Sequence, residues 1–312
     1  MGTAVIFPGQ GTQFAQMGAP WRATPHWDVV ARAEAALGEP GRLAHLLLDA
    51  SDENLGRTLE AQLAVFLHSL MAWSAVQAVQ EAGGAAEPVA FAGHSLGQLT
   101  ALVASGALAL DDGIRLVARR AAATQSAADR RPGRMAALVG AGVEVAEAAC
   151  VGAGAVWIAN DNAPGQVVIG GAPEGVEAAS AQARALGVRR VIPLKVGGAF
   201  HTPLFDDARA ELRPALAETR FVTPLAPVVS NVDAMDHTDP ADWPLQLADH
   251  LVSPVRWRQS LETLSRLGAD TLVEVGPGNV LAGLARRTLP GVTVRNVAEP
   301  ADAQSLLTVE VC

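Results

Sequence analysis

Residues 93–97 read GHSLG, and this pentapeptide decides how the rest of the chain is interpreted. An apolar run, residues 89–92, precedes it and predicts a strand, whereas residues 99–104 follow it with the pattern of a helix. A strand, a Gly-x-Ser-x-Gly turn and a helix make a nucleophile elbow, which presents the serine hydroxyl at the tip of a sharp turn. An incidental serine in an ordinary turn is the alternative, but the flanking elements favour Ser95 as a nucleophile at a helix N-terminus.

The composition indicates a globular protein with a large core. Of 312 residues, 50% are hydrophobic and 18% are charged, which excludes a disordered chain. The net charge of −9 argues against nucleic-acid binding, which needs a basic face. Cys150 and Cys312 lie far apart in the sequence, and this spacing indicates a reducing compartment without a disulfide framework or a metal site. No uninterrupted apolar run reaches ~20 residues and no signal peptide is recognisable, so we expect a cytoplasmic protein without a membrane segment.

The order of the predicted elements divides the chain into a core and an insert. Residues 134–197 read as strand, helix, strand, strand, helix, strand, with a polar turn at 160–165, and this order predicts a ferredoxin-like subdomain. Around it we predict strands at 4–7, 227–230 and 271–275 and helices that include 61–79, 204–218, 255–267 and 280–288. The predicted fold is therefore α/β, with an α/β-hydrolase-like core and a parallel sheet over 1–130 and 198–312, and a ferredoxin-like subdomain over 131–197.

A serine hydroxyl needs a base within hydrogen-bond reach, and seven histidines are available. His201 follows Gly197 and Gly198 on the stretch that leaves the predicted insert, a position that can face a cleft between the two units. A solvated loop histidine is the alternative, and position alone does not decide between them. His94 adjoins Ser95, but neighbours on a tight turn point apart, so we expect His94 to brace the elbow.

Two adjacent arginines, Arg119 and Arg120, lie on the predicted helix 114–126. They cannot share one helix face, so one of them can point inward, where a guanidinium grips a carboxylate through two hydrogen bonds. Without further information both arginines are better read as solvated.

Taken together, these residues resemble the malonyl-CoA:acyl carrier protein transacylase family, the free-standing acyltransferases of fatty-acid and polyketide synthesis. The resemblance covers almost the whole chain, and eight blocks occur in the order of the family. They are residues 7–13, 93–97, 115–120, 133–137, 159–166, 198–202, 254–257 and 274–278.

The resemblance assigns a role to each matching position. It implies that Ser95 is the acylated nucleophile and His201 its base, with the backbone N–H groups of Gln10 and Leu96 as the oxyanion hole. It also implies that Arg120 pairs with the free carboxylate of the malonyl group. No metal and no cofactor are implied, apart from the substrate malonyl-CoA and the phosphopantetheine of the acceptor.

Further matching positions concern the substrate. Phe200 falls where the preference for the extender unit is partly encoded, and its ring should crowd an α-methyl group, an effect worth ~1–3 kcal/mol. Asn162, Gln98 and His250 are also implied to bind substrate. Two of them depart from the family, which usually has glutamate at the position of Gln98 and glutamine or asparagine at that of His250. His250 is expected to orient His201 through a carbonyl group.

The implied reaction is a two-step transfer of malonyl from coenzyme A to an acyl carrier protein through an ester on Ser95. We expect a monomer that binds malonyl-CoA and the carrier protein, but neither nucleic acid nor a membrane. Because the chain is acidic, the carrier protein should dock on a local basic patch. Candidate residues are Arg184, Arg189, Arg190, Arg286 and Arg287.

Four other readings stay open. Gln98 also occurs in relatives that hydrolyse acyl groups from carrier proteins, so an editing hydrolase is the first alternative, and a transferase of another acyl unit is the second. A general esterase would need an acid between Ser95 and His201 in chain order, for which Asp161 is the candidate. A non-catalytic carrier-binding module is the last. The sequence does not decide between a fatty-acid and a polyketide pathway, and it does not identify the carrier protein.

Overall fold

The computed structural model of the chain describes residues 2–83 and 87–306. Cys312 and the rest of 307–312, the end of the expected catalytic segment, lie outside the described residues. The strands are β1 Gly2–Phe7, β2 Ala90–Gly93, β3 Arg134–Val139, β4 Val156–Ala163, β5 Gln166–Gly171, β6 Arg190–Pro193, β7 Val228–Val229, β8 Asp236–His237, β9 Ala269–Val275 and β10 Thr293–Val297. The α-helices are α1 Asp28–Leu37, α2 Arg42–Leu48, α3 Asp52–Leu55, α4 Thr58–Glu81, α5 Gly97–Ala104, α6 Leu110–Arg130, α7 Val143–Cys150, α8 Pro173–Ala185, α9 Asp206–Glu218, α10 Trp243–His250, α11 Trp257–Arg266, α12 Val280–Thr288 and α13 Pro300–Ser305.

Within residues 2–83 and 87–306, the larger sheet has six strands in the order β10-β9-β1-β2-β7-β8, and every neighbouring pair is parallel except β7 with β8. Helices cover both faces of this sheet. In β1, Val5 and Phe7 belong to the cluster that contains side chains of α4, α5 and α6, whereas Ala4 and Ile6 belong to the cluster with α11 and α12. A strand buried on both faces is apolar at every position, as residues 4–7 are. The sheet confirms the predicted α/β class with a parallel sheet.

The smaller sheet has four antiparallel strands in the order β4-β5-β3-β6, and α7 and α8 pack on it. The element order β, α, β, β, α, β is the predicted one. The turn expected at 160–165 is shorter, because β4 continues through Ala163. The polar residues of this stretch stay in the strand because they find partners in the larger unit. Strand β6, Arg190–Pro193, is shorter than the expected 188–196.

Strand β4 connects the two units beside the elbow. The Asp161 N–H donates to the Val255 carbonyl, and the Val255 N–H donates to the Ala159 carbonyl, both at 2.9 Å. The buried Asp161 carboxylate accepts from Arg258 Nη2 at 2.9 Å. The hydrogen bond that Arg258 donates to Asp161 raises the pKa of Arg258 above its usual value. These contacts fix the smaller sheet against the core along one strand.

Helix α4 is long and apolar enough to cross a membrane by length and composition, although polar residues such as Gln62 and His68 interrupt its apolar run. Of its most apolar 18-residue window, 83% is buried inside the protein. Helix α4 contacts α5, α6 and α13, so it is a central helix of the core.

Four described elements of the core, β8, β10, α10 and α13, lie outside the predicted set. Strand β8 has two residues and α10 has eight, so neither is long enough to give a clear periodic pattern. Helix α10 matters for the site, because its last residue is His250.

Candidate active site

The elbow lies where β2 ends at Gly93 and α5 begins at Gly97. Ser95, at its tip, has a φ of +53°, a left-handed conformation that costs energy in a residue with a side chain. A Cβ atom on Gly93 would lie 1.9 Å from the carbonyl carbon of Gly97, and one on Gly97 would lie 2.2 Å from the Phe7 carbonyl oxygen. Glycine is therefore required on both sides of Ser95, because the turn presses against its own backbone and against β1.

His201 is hydrogen-bonded to the serine. Its Nε2 atom lies 2.7 Å from Ser95 Oγ, and its Nδ1 atom donates to the His250 carbonyl at 2.8 Å. Because Nδ1 carries the proton, Nε2 of the neutral ring accepts from the hydroxyl. Burial, together with the charge of Arg120, lowers the pKa of His201 to about 3. The ring is therefore neutral at physiological pH and ready to take a proton. His201 is a buried residue of the cleft, which overturns the reading as a solvated loop histidine.

The partner of His201 Nδ1 is a backbone carbonyl, the kind of contact expected at His250. Asp161, the formal acid of an esterase triad, is paired instead with Arg258. The arrangement therefore does not support the general esterase.

Arg120 points inward from α6, whereas Arg119 is exposed. The Arg120 Nη2 atom donates to Ser95 Oγ at 3.3 Å, and the Arg120 Nη1 atom donates to Gln62 Oε1. Burial lowers the pKa of Arg120 to about 10, so the guanidinium stays charged at neutral pH. Among residues 2–83 and 87–306, no carboxylate forms an ion pair with it. A buried cation without an internal anion, next to a serine hydroxyl, is suited to bind the carboxylate of a substrate. The reading with both arginines solvated is wrong.

A cavity of about 400 Å³ opens over Ser95 between the two sheets. The core contributes the loop after β1, the elbow and α12, and the smaller unit contributes β3, β4, β5 and the stretch after β6. Lining residues that the argument uses are Gln10, His94, Ser95, Leu96, Arg120, Asn162, Phe200 and His201. Within the described part of the chain, the backbone N–H groups of Gln10 and Leu96 donate to no protein acceptor. Two free N–H groups in such a cavity can stabilise an oxyanion.

His94 braces the elbow, as expected. Its Nε2 atom donates to Asn162 Oδ1 at 2.8 Å, and its ring packs edge-on against Trp257 with centroids 5.4 Å apart. Burial lowers the pKa of His94, so the ring is neutral. Asn162 therefore lines the cavity and also ties β4 to the elbow. Phe200 lines the cavity and packs against Phe205.

Two residues expected to bind substrate do not reach the cavity. Gln98 is fully buried behind the elbow, where its Oε1 atom accepts from the Asn231 N–H at 2.9 Å. The His250 side chain is buried too, and its ring packs over that of His201 with centroids 4.9 Å apart. Burial lowers the pKa of His250 well below its usual value. Neither side chain lines the cavity; Gln98 contacts Asn231 behind the elbow, and His250 contacts His201.

Sequence reasoning missed two residues of the site, Asn231 and Gln62. Asn231 follows β7, and the carboxyl end of a parallel strand is where α/β folds place functional side chains. Gln62 is a polar residue within an apolar helix pattern, which is a weaker signal. Both are buried and hydrogen-bonded to the elbow or to Arg120. As for metals, the part of the chain that the structure describes has no group of three or more His, Cys, Asp or Glu side chains that could hold an ion.

Comparison with known proteins identifies the family of this chain. Residues 4–305 match the model of the acyl transferase domain family. The chain belongs to this family. It is 37% identical over 312 residues to the malonyl CoA-acyl carrier protein transacylase of Salmonella typhimurium, with 98% of both chains covered.

Solved structures of malonyltransferases are also similar to this chain. An acyl carrier protein S-malonyltransferase from Vibrio cholerae superposes with a TM-score of 0.91 at 35% identity, covering 98% of this chain and all of that one. A malonyl-transacylase solved with its type II polyketide synthase acyl carrier protein gives a TM-score of 0.91 at 34% identity, with 99% of both chains covered.

Proposed function

We propose that this protein is an acyl-carrier-protein S-malonyltransferase, which moves malonyl from malonyl-CoA to the phosphopantetheine thiol of an acyl carrier protein. The observation that carries the proposal is the juxtaposition of Ser95, its base His201 and Arg120 in one cavity. The buried Arg120 cation forms no ion pair with a carboxylate of the described residues. The similarity to transacylases of the same length supports the same reaction.

In the first half-reaction, Ser95 Oγ attacks the thioester carbonyl of malonyl-CoA as His201 Nε2 takes the hydroxyl proton. The oxyanion forms against the N–H groups of Gln10 and Leu96 and then collapses, which breaks the C–S bond. Protonated His201 returns the proton to the leaving thiolate, and malonyl remains as an ester on Ser95. The His250 carbonyl keeps the ring of His201 oriented throughout.

In the second half-reaction, the carrier thiol gives its proton to His201 and attacks the ester carbonyl, and the serine leaves with the proton returned. This is ping-pong chemistry. It needs a base and oxyanion donors, so the proposal includes no metal and no cofactor. Arg120 pairs with the malonyl carboxylate in both steps, and Phe200 disfavours an α-methyl group by its bulk.

We further infer that the larger unit, 1–130 and 198–312, is an α/β-hydrolase-like catalytic core, and that 131–197 is a ferredoxin-like subdomain. The elbow between β2 and α5 supports the first assignment, and the strand order β4-β5-β3-β6 supports the second. The proposal keeps the expectation of a cytoplasmic monomer. The free thiol of Cys150 is consistent with a reducing compartment.

The experiment is intact-mass spectrometry of the protein mixed with malonyl-, methylmalonyl- or acetyl-CoA, with and without holo carrier protein. We expect a malonyl adduct that Ser95→Ala abolishes and that passes to the carrier protein. Rapid release of coenzyme A without an acceptor would instead identify the editing hydrolase. A stable adduct of another acyl group in preference to malonyl would identify a transferase with a different extender unit.

A further inference from the structure

The side chain of Asn231 spans the elbow from behind. Its Oδ1 atom accepts from the Ser95 N–H at 2.8 Å, and its Nδ2 atom donates to the Gly93 carbonyl at 2.9 Å. These two groups flank His94 at the sharpest part of the turn. The turn therefore obtains two hydrogen bonds from one side chain that arrives 136 residues later in the chain.

Asn231 is itself held in place. Its own N–H donates to Gln98 Oε1 at 2.9 Å, and its carbonyl accepts from the Arg256 N–H at 3.0 Å. Gln98 lies in the first turn of α5, the helix that the elbow opens, so the contact closes a loop from β2 through Ser95 to α5 and back. Asn231 and Gln98 are both fully buried, so water does not compete for these bonds.

The strained backbone conformation of Ser95 explains why the hydrogen bonds from Asn231 are needed. A serine at φ +53° persists only where its surroundings impose that conformation. The elbow glycines permit the turn but, having no side chains, cannot hold it. The Asn231 amide supplies one acceptor and one donor, which are what the Ser95 N–H and the Gly93 carbonyl need.

We propose that Asn231 is a positioning residue for the nucleophile, which locks the strained Ser95 conformation, and that Gln98 orients Asn231 for this task. The inference rests on the proposed function only in taking Ser95 as the nucleophile. It concerns how fast Ser95 reacts, and not which acyl group it accepts. Gln98 thereby acquires a role at the site that does not involve substrate.

Three variants test this inference. Asn231→Ala removes both bonds to the turn, whereas Asn231→Asp keeps an acceptor for Ser95 but places an oxygen against the Gly93 carbonyl. Gln98→Met removes the acceptor for the Asn231 N–H at similar volume. Asn296→Ala is the matched control, because Asn296 also donates through Nδ2, to Glu274 at 2.9 Å, away from the elbow.

The measurements are the single-turnover rate of Ser95 acylation by malonyl-CoA, its concentration dependence, the final fraction of acylated protein and the thermal midpoint. We expect both Asn231 variants to acylate about five- to a hundredfold more slowly, the range for a lost buried hydrogen-bond partner. The half-saturating malonyl-CoA concentration should stay within about twofold, and the final acylated fraction should be complete. Gln98→Met should fall in between, and Asn296→Ala should lose stability without losing rate.

A folding defect would lower the acylated fraction instead of the rate constant, so the two causes are separable. Labelling of Ser95 by a fluorophosphonate, which needs no malonyl group, gives a second readout. It should slow in the same variants even if the natural acyl group is a different one. Acylation and labelling at the parental rate in Asn231→Ala or, if that variant does not fold, in Gln98→Met would overturn the inference.

Discussion

The guanidinium of Arg120 is held by the neutral side-chain amide of Gln62, which accepts from Nη1. The Gln62 Nε2 atom donates in turn to Thr124 Oγ1 at 2.9 Å, and the Thr124 hydroxyl donates to the Arg120 carbonyl at 2.8 Å. This closed ring orients Arg120 toward Ser95 without an internal carboxylate. The charge therefore remains available to a carboxylate on the substrate.

Gln62→Glu should abolish this availability. A carboxylate at position 62 would pair with Arg120 at close range and compete with the malonyl carboxylate. We expect the ratio of malonyl to acetyl transfer, measured as kcat/KM for each thioester, to fall about tenfold or more, as for the loss of one charge-assisted pair. Thr124→Val is the control, because it disturbs the ring without adding a charge. An unchanged ratio in Gln62→Glu would show that Arg120 does not select the substrate.

Arg120→Ala removes the cation itself. A charge-assisted pair is worth ~1.5–3 kcal/mol, so the acetyl-to-malonyl ratio of kcat/KM should rise about ten- to a hundredfold. Malonyl transfer should fall while acetyl transfer stays measurable, because Ser95 Oγ and His201 Nε2 keep their hydrogen bond to each other. Competition between the two labelled thioesters gives the ratio directly, and a ratio equal to the parental one contradicts the assignment of Arg120.

The pH dependence of acylation reports on His201. Its pKa is lowered to about 3, first by burial and then by Arg120, so the ring should remain a neutral base well below pH 6.5. A histidine with an ordinary pKa would be only about one-tenth neutral at pH 5.5. We expect the single-turnover rate to change less than about twofold between pH 7.5 and 5.5. In Arg120→Ala the pKa of His201 should rise, so the acid limb should move to higher pH. A tenfold loss of rate by pH 5.5 in the parental protein would contradict this picture.

The elbow and the order of elements could be predicted from the sequence because both depend on local signals. Glycines at 93 and 97 indicate a turn with no room for a Cβ atom. The hydrophobic pattern of a strand or a helix is recognisable within a few consecutive residues. Arg120 was harder, since adjacent arginines on one helix do not reveal which of them faces the core. Its orientation depends on Gln62, which is 58 residues away.

Gln98 was misassigned for a similar reason. Gln98 directly follows the elbow and is close to Ser95 in the sequence, but its side chain turns into the core toward Asn231. Asn231 follows a strand of only two residues, and α10, which delivers the His250 carbonyl, is a helix of eight. Short elements give weak patterns, so contacts that depend on their three-dimensional placement were outside the reach of the sequence.

Docking of the carrier protein can be tested on the smaller unit. Arg189 and Arg190 are exposed, and neither forms an ion pair with a residue of the described ranges. The double variant Arg189→Glu, Arg190→Glu should raise KM for the carrier protein about tenfold and leave KM for malonyl-CoA within about twofold. The same charge change at the exposed Arg213 and Arg220, in and after α9, is the matched control. Equal effects on both substrates would place docking elsewhere.

Buried neutral histidines should make the protein sensitive to acid. The pKa of His68 is lowered to about 4 by burial, and its Nε2 atom accepts from Trp21 Nε1 at 3.2 Å. Above pH 6.5 the ring is neutral in both the folded and the unfolded chain. Between pH 6.5 and about 4 the unfolded chain binds a proton that the folded chain does not, so stability falls as the pH falls. Each such histidine contributes a slope of up to ~1.4 kcal/mol per pH unit.

His68→Gln tests this sign, because the glutamine oxygen can still accept from Trp21 but does not titrate. The free energy of unfolding, measured by denaturant titration from pH 7 to 5, should decline in the parental protein and decline less steeply in the variant. The difference between the two slopes should approach one proton, or about 1.4 kcal/mol per pH unit. Because His94, His201 and His250 also have lowered pKa values, part of the decline should remain in the variant. Parallel slopes would mean that His68 is protonated in the folded protein, with its ring turned away from Trp21.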